Sequence, residues 1–263
     1  MSDEKKQDAA ILILSCDKNT DLWGECIRLF WKHWPDCPHQ VYLGSNSLKF
    51  KGDDRVKSLL THDDPDWSTS YTKILNQIPE KYIYVWLEDG LINSRVNGKL
   101  FRECFDLMRN EDAKHMHGPL PHADGKERKK KFGIYEKGMP YRVNVVGFWD
   151  KEYLLNLVIK GESAWDFEIM GSYRGSYDDG FYCLNEKLFD HVHVVEKGKW
   201  VDSSIKECEN HDIKLNLKKR EIISGYDKLK NKLKKIYFKL ICKAPWKLRV
   251  KLINLLRKIL ISY

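Results

Sequence analysis

The chain lacks most of the short signatures that would name a chemistry outright. Its 263 residues contain no G-x-x-x-x-G-K-[ST] phosphate loop, and no G-x-G-x-x-G follows the first apolar segment. That counts against a kinase, a P-loop ATPase and a dinucleotide-dependent dehydrogenase. Seven cysteines (16, 26, 37, 104, 183, 208, 242) form an odd number without a CxxC pair. This argues against a cysteine zinc site and a disulfide framework, and for reduced thiols in a cytosolic setting. No uncharged apolar run approaches the roughly 18 residues of a spanning helix. The amino terminus, Met-Ser-Asp-Glu-Lys-Lys-Gln-Asp, is charged and carries no apolar segment of the kind that directs secretion. The last absence is of one sign of charge: residues 228–263 hold twelve Lys/Arg and no acid. The remainder has 34 basic and 38 acidic residues, so a net charge of +8 averages a mildly acidic body and a cationic tail.

What is present centres on Lys81-Tyr82-Ile83-Tyr84-Val85-Trp86-Leu87-Glu88-Asp89-Gly90. Six uncharged residues rich in β-branched and aromatic side chains predict a strand buried on both faces. Glu88 and Asp89 then stand at its carboxyl end, where open α/β sheets bind ligands. An Asp-Gly turn explains the same residues without chemistry.

Around this strand, apolar runs at Ala10–Ser15, Gln40–Gly44 and Arg55–Leu60 predict three more strands. Trp23, Ile27, Phe30 and Trp34 recur at helical spacing behind a cap at Asn19 or Thr20, and a second helix is expected over 68–77. A helix starting at Asn93 or Ser94 carries Val96, Leu100, Cys104, Phe105 and Met108 inward. Residues 111–140, with the run Lys126-Glu127-Arg128-Lys129-Lys130-Lys131, read as a mobile connection over the sheet edge. A strand from Val143 to Trp149 and a helix capped by Asp150 follow. Gly171–Tyr182 reads as a turn region and His191–Val195 as a short strand. His115 and His117 alternate, as do His191 and His193, but neither pair has a third ligand at metal-binding spacing. Asp178-Asp179-Gly180 reads as a turn.

The order resembles the GT-A fold of nucleotide-sugar glycosyltransferases. Ile-Leu-Ile-Leu-Ser-Cys-Asp-Lys (11–18), Tyr-Val-Trp-Leu-Glu-Asp-Gly (84–90) and Gly-Glu-Ser-Ala-Trp-Asp-Phe-Glu (161–168) resemble bacterial surface-polysaccharide (capsule or O-antigen) glycosyltransferases over roughly residues 9–200. The resemblance implies an α/β, Rossmann-like mixed sheet flanked by helices, and a hexosyltransferase-type enzyme using a nucleotide-sugar donor. It puts Asp17 after the first strand as a nucleotide contact. Glu88 and Asp89 match the acidic motif that holds Mg²⁺ or Mn²⁺ on the donor diphosphate, with Asp89 as the metal ligand. Here Leu87, Gly90 and Leu91 occupy the places where a second acid of Asp-x-Asp would stand. At most weak dependence on Mg²⁺ or Mn²⁺ is therefore expected, with Lys73 or the 126–131 run as cations for the diphosphate.

The 165–168 segment resembles the acceptor-side region that supplies a catalytic base, which takes the proton of the acceptor hydroxyl. Glu168 is the first candidate and Asp166 the second, because Ser163-x-x-Asp166 also matches a capping box.

The tail alternates lysines with Leu233, Ile236, Tyr237, Leu240 and Ile241, then resumes after Pro245 with Trp246, Leu248, Val250, Leu252, Leu255, Leu256, Ile259 and Leu260. Basic amphipathic helices of this kind lie in anionic membrane interfaces. A nucleic-acid arm carries less aliphatic surface, and a helix docked on the body is the competing reading. The expected organisation is a catalytic domain over 1–225 and a membrane-association tail over 226–263. It would transfer a sugar to a lipid-linked or polysaccharide acceptor at the cytoplasmic face of the membrane. Two alternatives stand beside it: an inactive GT-A-like module that binds membrane or glycan, and a nucleotidyltransferase.

Overall fold

The computed structural model describes residues 8–63, 65–118, 130–223, 225, 229, 233, 236, 244–251 and 255. The elements, in chain order, are β1 (Ala9–Leu14), α1 (Thr20–His33), β2 (Gln40–Ser45), β3 (Val56–Leu60), α2 (Trp67–Leu75), β4 (Tyr82–Leu87), β5 (Gly90–Ile92), α3 (Gly98–Asn110), β6 (His115–His117), β7 (Phe132–Ile134), β8 (Gly147–Asp150), α4 (Lys151–Leu157), α5 (Ala164–Arg174), β9 (Phe181–Leu184), β10 (His191–His193), β11 (Val195–Glu196), β12 (Lys199–Trp200) and α6 (Asp202–Asn210). Eight strands form one sheet in the order β3-β2-β1-β4-β8-β6-β9-β7.

The first four strands of that order are parallel, and β8 then runs antiparallel between β4 and β6. This is the mixed, helix-flanked α/β sheet expected. Its central strands are uncharged because both faces are covered. On one face, Ile11, Ile13, Tyr84 and Trp86 pack with α1 and α3. On the other, Leu12, Leu14, Ile83 and Val85 pack with α2, α4 and α5. The period-2 alternation along β1 and β4 therefore feeds two separate cores.

The sequence reading departs from the structure between residues 93 and 182. The third helix starts at Gly98, capped by the Asn97 side chain, and not at Asn93 or Ser94, because the N–H groups of Asn93, Val96 and Asn97 donate to the Asp190, His33 and Leu188 carbonyls. The 111–140 stretch is not one connection, since it supplies β6 to the interior of the sheet and β7 to its edge. His115 and His117 are buried in β6: His115 stacks on Trp149 at 3.6 Å and His117 on Tyr135 at 4.8 Å. Burial pushes both imidazoles below their usual pKa, to about 4 for His117, so they serve as neutral packing groups. Most of the 126–131 run lies outside the described residues. The strand expected over 143–149 is confined to Gly147–Asp150, and the turn region expected from Gly171 opens inside α5. No disulfide occurs among the described residues.

Helical residues 246–251 do not stand clear of the body. Trp246 is buried in the second core beside Gly138, and Val250 packs with it. A boundary at 225/226 therefore does not detach the whole tail. By contrast Leu229, Leu233 and Ile236, at helical spacing, are all exposed.

Gly147 is a sensitive point of the sheet. Its φ is +144°, and a Cβ would lie 2.6 Å from the Met116 carbonyl oxygen. Gly147→Ala combines backbone strain with a clash against a neighbouring strand. It should cost about 2 kcal/mol or more. A thermal melt is the check, and an unchanged midpoint would contradict the register given for β6 and β8.

Candidate functional site

The carboxyl ends of β1 and β4 lie side by side, with Leu14 level with Leu87. The chain leaves β4 through Glu88 and Asp89 and returns at once as β5, which Trp86 stabilises by donating its indole N–H to the Gly90 carbonyl at 2.7 Å. β10 pairs antiparallel with β5, His193 opposite Gly90, and the Val194 N–H donates to the Asp89 carbonyl at 2.9 Å. Alternation along β10 buries Val192 and leaves His191 and His193 on its outer face. His193 Nδ1 is thereby 3.6 Å from Asp89 Oδ2.

Glu88 is 96% buried beneath the start of α1. It accepts a hydrogen bond from the Asn19 side-chain amide. Asn19 precedes α1 but does not cap it with its side chain; the amide oxygen instead accepts from Arg220 at 2.9 Å. Arg220 arrives on an extended segment tied to β12 by the Trp200 and Glu221 backbone, and it forms a 2.6 Å ion pair with Asp21. A chain of contacts thus runs from Arg220 through Asn19 to Glu88.

Burial, then the neighbouring Asp89 charge, pushes the Glu88 carboxyl up to about 8, with Asn19 and Ser15 hydrogen bonds offsetting part of the rise. Burial also raises Asp89, opposed by the charges of His193 and Arg220. Two adjacent carboxylates withdrawn from water are costly unless a cation or proton joins them.

Asp17 stands at the same edge, but its carboxylate accepts from the backbone N–H groups of Asn46, Ser47 and Leu48 at 3.0–3.2 Å. It clamps the loop after β2 to the loop after β1. Lys73 is held by Asp63 at 2.6 Å, on the outside of α2. Among the described residues, the basic side chains at the acid pair are Arg220, reached through Asn19, and His193. Asp89 and His193 offer two donors of the kind a divalent ion accepts. Among the described residues no set of three or more acidic, cysteine or histidine side chains converges. A cation there would take its remaining ligands from phosphate and water, as Mg²⁺ commonly does.

Glu168 sits across the same sheet edge. β8 runs antiparallel to β4 and begins at Gly147 opposite Val85, so the chain enters β8, past Val145, at the end of the sheet where β4 leaves it. The Val145 N–H donates to Glu168 Oε1 at 3.2 Å. Burial raises this carboxyl above its usual range, with only that hydrogen bond opposing it. Asp166 is different. It closes the Ser163 capping box at the start of α5, is exposed, and is held below the usual range by the Ser163 hydrogen bonds. The cap accounts for Asp166 fully, and of the two acids only Glu168 has the environment of a base.

Asn19 and Arg220 escaped the functional reading of the sequence, and His193 figures there only with His191, as a pair lacking a third metal ligand. The alternation of His191 and His193 was a usable signal for a shared strand face; nothing local marked Arg220.

No family model matches the chain, and no curated protein matches it. Among solved structures, the fold is similar to S. aureus TarS 1–349 in complex with UDP, with TM-score 0.48 and 8% identity over 70% of this chain and 59% of that one. The chain therefore spans less than two thirds of that TarS structure. It is also similar to an active-site mutant of LgtC, with TM-score 0.41 and 10% identity over 66% of this chain and 71% of that one. A third is a cytidylyltransferase from Leptospira borgpetersenii, with TM-score 0.45 and 12% identity over 80% of this chain and 98% of that one. At these identities the likeness is one of fold.

The buried acid makes a stability prediction. Between its unfolded value near 4.5 and about 8, folded Glu88 keeps a proton that the unfolded chain releases. Its contribution to stability is thus fully present below that window and is lost as pH rises through it. Glu88→Gln removes the titration and keeps the acceptor for Asn19. The melting temperature of the variant should gain on wild type from about pH 5 to 8, by several degrees at the upper end. Parallel curves across that range would contradict the burial of Glu88.

Proposed function

We propose that the chain is a nucleotide-sugar-dependent glycosyltransferase acting on a lipid-linked or polysaccharide acceptor at a membrane face. The observation that carries this reading is the buried Glu88–Asp89 turn where β4 leaves the sheet, together with a largely buried Glu168 bonded by the Val145 N–H just before β8 enters at that end. The first is suited to the charged end of a donor, the second to an incoming hydroxyl.

In this reading the donor diphosphate lies over the β1 and β4 ends. Arg220, acting through Asn19, offsets negative charge there. Asp89 and His193 would hold a divalent ion if one is used, and the ion would neutralise charge on the departing diphosphate. Glu168 accepts the acceptor's hydroxyl proton as that oxygen bonds to the anomeric carbon. The bond from that carbon to phosphate breaks, and its electron pair leaves with the nucleoside diphosphate. A carboxyl raised by burial suits this proton transfer near neutral pH.

A nucleotidyltransferase fits less well. Its expected glycine-rich basic loop is replaced after β1 by Ser15-Cys16-Asp17-Lys18-Asn19, a short turn closed by the Asp17 clamp. The membrane reading rests on the cationic tail and on exposed Leu229, Leu233, Ile236, Leu248 and Leu255. No helix among the described residues is long and apolar enough to cross a membrane.

The test compares two isosteric variants. Glu168→Gln should lower turnover about 10²-fold or more while nucleotide affinity persists. Asp166→Asn should weaken only the capping box, with a slightly lower melting temperature and turnover nearly unchanged. Steady-state transfer and a melting curve on each variant decide between them. An inactive Asp166→Asn with an active Glu168→Gln would reverse the assignment, and two active variants would remove the base from α5.

A further inference from the structure

Helix α5 is packed the wrong way round for a helix facing water. It buries Phe167, Gly171 and Ser172, while Trp165 (70% exposed), Ile169, Met170 and Tyr173 lie on its outer side. Tyr177, just beyond the helix, is 84% exposed. A surface helix ordinarily turns its large apolar residues inward. The inner side has no room for them: a Cβ on Gly171 would already lie 3.2 Å from Val143. Contiguous exposed apolar surface marks contact with something other than water.

The neighbouring surface says what that contact is. A cavity of about 120 Å³ lies between α5, residues 138–141 and the docked tail stretch, lined by Met139, Ile169, Tyr173, Ser176 and Val250 among others. Trp246 pins this stretch to the body and Val250 lines the cavity with Ile169 and Tyr173 of α5, while Leu248, Lys251 and Lys247, the last paired with Glu136 at 3.2 Å, are exposed. Tryptophan and tyrosine among aliphatic side chains, bordered by lysines, is the composition of a membrane interface. The charge favours lipid as the occupant: the tail from residue 228 carries twelve cations and no acid, complementary to anionic headgroups. The acid on the exposed side of α5, Asp166, is turned into its own cap.

We propose that the outer face of α5, formed by Trp165, Ile169, Met170 and Tyr173 with Tyr177, inserts into the headgroup region of an anionic bilayer beside the docked 246–251 stretch. This rests on the membrane reading given above and extends it from the tail to the catalytic body. Its consequence is positional. The helix that carries Glu168 is itself seated on the membrane, which brings the base to the level at which a lipid-linked hydroxyl is presented.

The test uses the full chain with vesicles of phosphatidylcholine containing phosphatidylglycerol. Ile169→Gln combined with Met170→Gln should lower the vesicle partition coefficient about tenfold or more, with an unchanged melt in the absence of lipid. Brominated lipid should quench the tryptophan fluorescence of the bound wild type, and Trp165→Phe should remove most of that quenching while the protein still binds. If the double variant melts early, the quenching comparison decides alone. No vesicle binding by the wild type would overturn both the membrane reading and this inference. Salt-sensitive binding with equal partition and equal quenching in the variants would overturn this inference and leave tail-driven recruitment standing. A lipid-independent dimer that the double variant dissolves would overturn it in favour of self-association.

Discussion

The structure turns on two carboxyl groups that the sheet delivers to a place where they are costly. β4 must be apolar on both faces to form the centre of the sheet, and it ends in Glu88 and Asp89 with almost no spacer. Glu88 is sealed under α1, and its proton is held to about pH 8. Everything near the pair answers that cost. Asn19 gives up its capping role to bond Glu88, Arg220 reaches across from the far end of the body to hold Asn19, and β10 brings His193 to Asp89. Fold stability alone would replace Glu88 with a neutral side chain. A buried acid held at a cost to folding is the physical feature on which the proposed site rests.

The local half of this arrangement was legible in the sequence. Unbroken apolar runs located β1, β2, β3 and β4, and apolar spacing with helix caps located α1 and α2, because each is bounded by polar residues. The acid pair was found for the same reason. Short strands were not: β6 and β7 have three residues each, too few to show a period, and β6 is a His-Met-His triplet whose burial depends on Trp149 and Tyr135. Helix α5 was missed past Gly171 because its apolar residues point outward and give no inward stripe. The site partners Asn19, His193 and Arg220 were invisible as partners, since Arg220 meets Asn19 across 201 residues of sequence. Cations expected at Lys73 turn out to be spent on Asp63, and Asp17 is spent on the β2 loop.

Tail and body prove less separable than composition suggested. The change from a mildly acidic chain to a wholly basic one at residue 228 is sharp, yet Trp246 and Val250 return to the second core. Docking Trp246 and Val250 on the body leaves Lys247, Leu248 and Lys251 exposed, and in the membrane reading proposed above this gives the body a defined orientation at the bilayer. Catalysis at an interface gains from such fixed geometry, because a positioned hydroxyl reacts faster than one that must be found.

The claim on which the account depends is that the Glu88–Asp89 turn receives the phosphates of a nucleotide. Calorimetric titration of a panel of nucleoside diphosphates and nucleotide sugars into the full chain and into Asp89→Ala, with and without Mn²⁺, addresses it directly. The account predicts that one nucleotide series binds the wild type and that affinity falls at least about tenfold, roughly 1.4 kcal/mol, in a variant that melts no earlier. A folded wild type that binds no member of the panel, or equal affinity in Asp89→Ala, would contradict it.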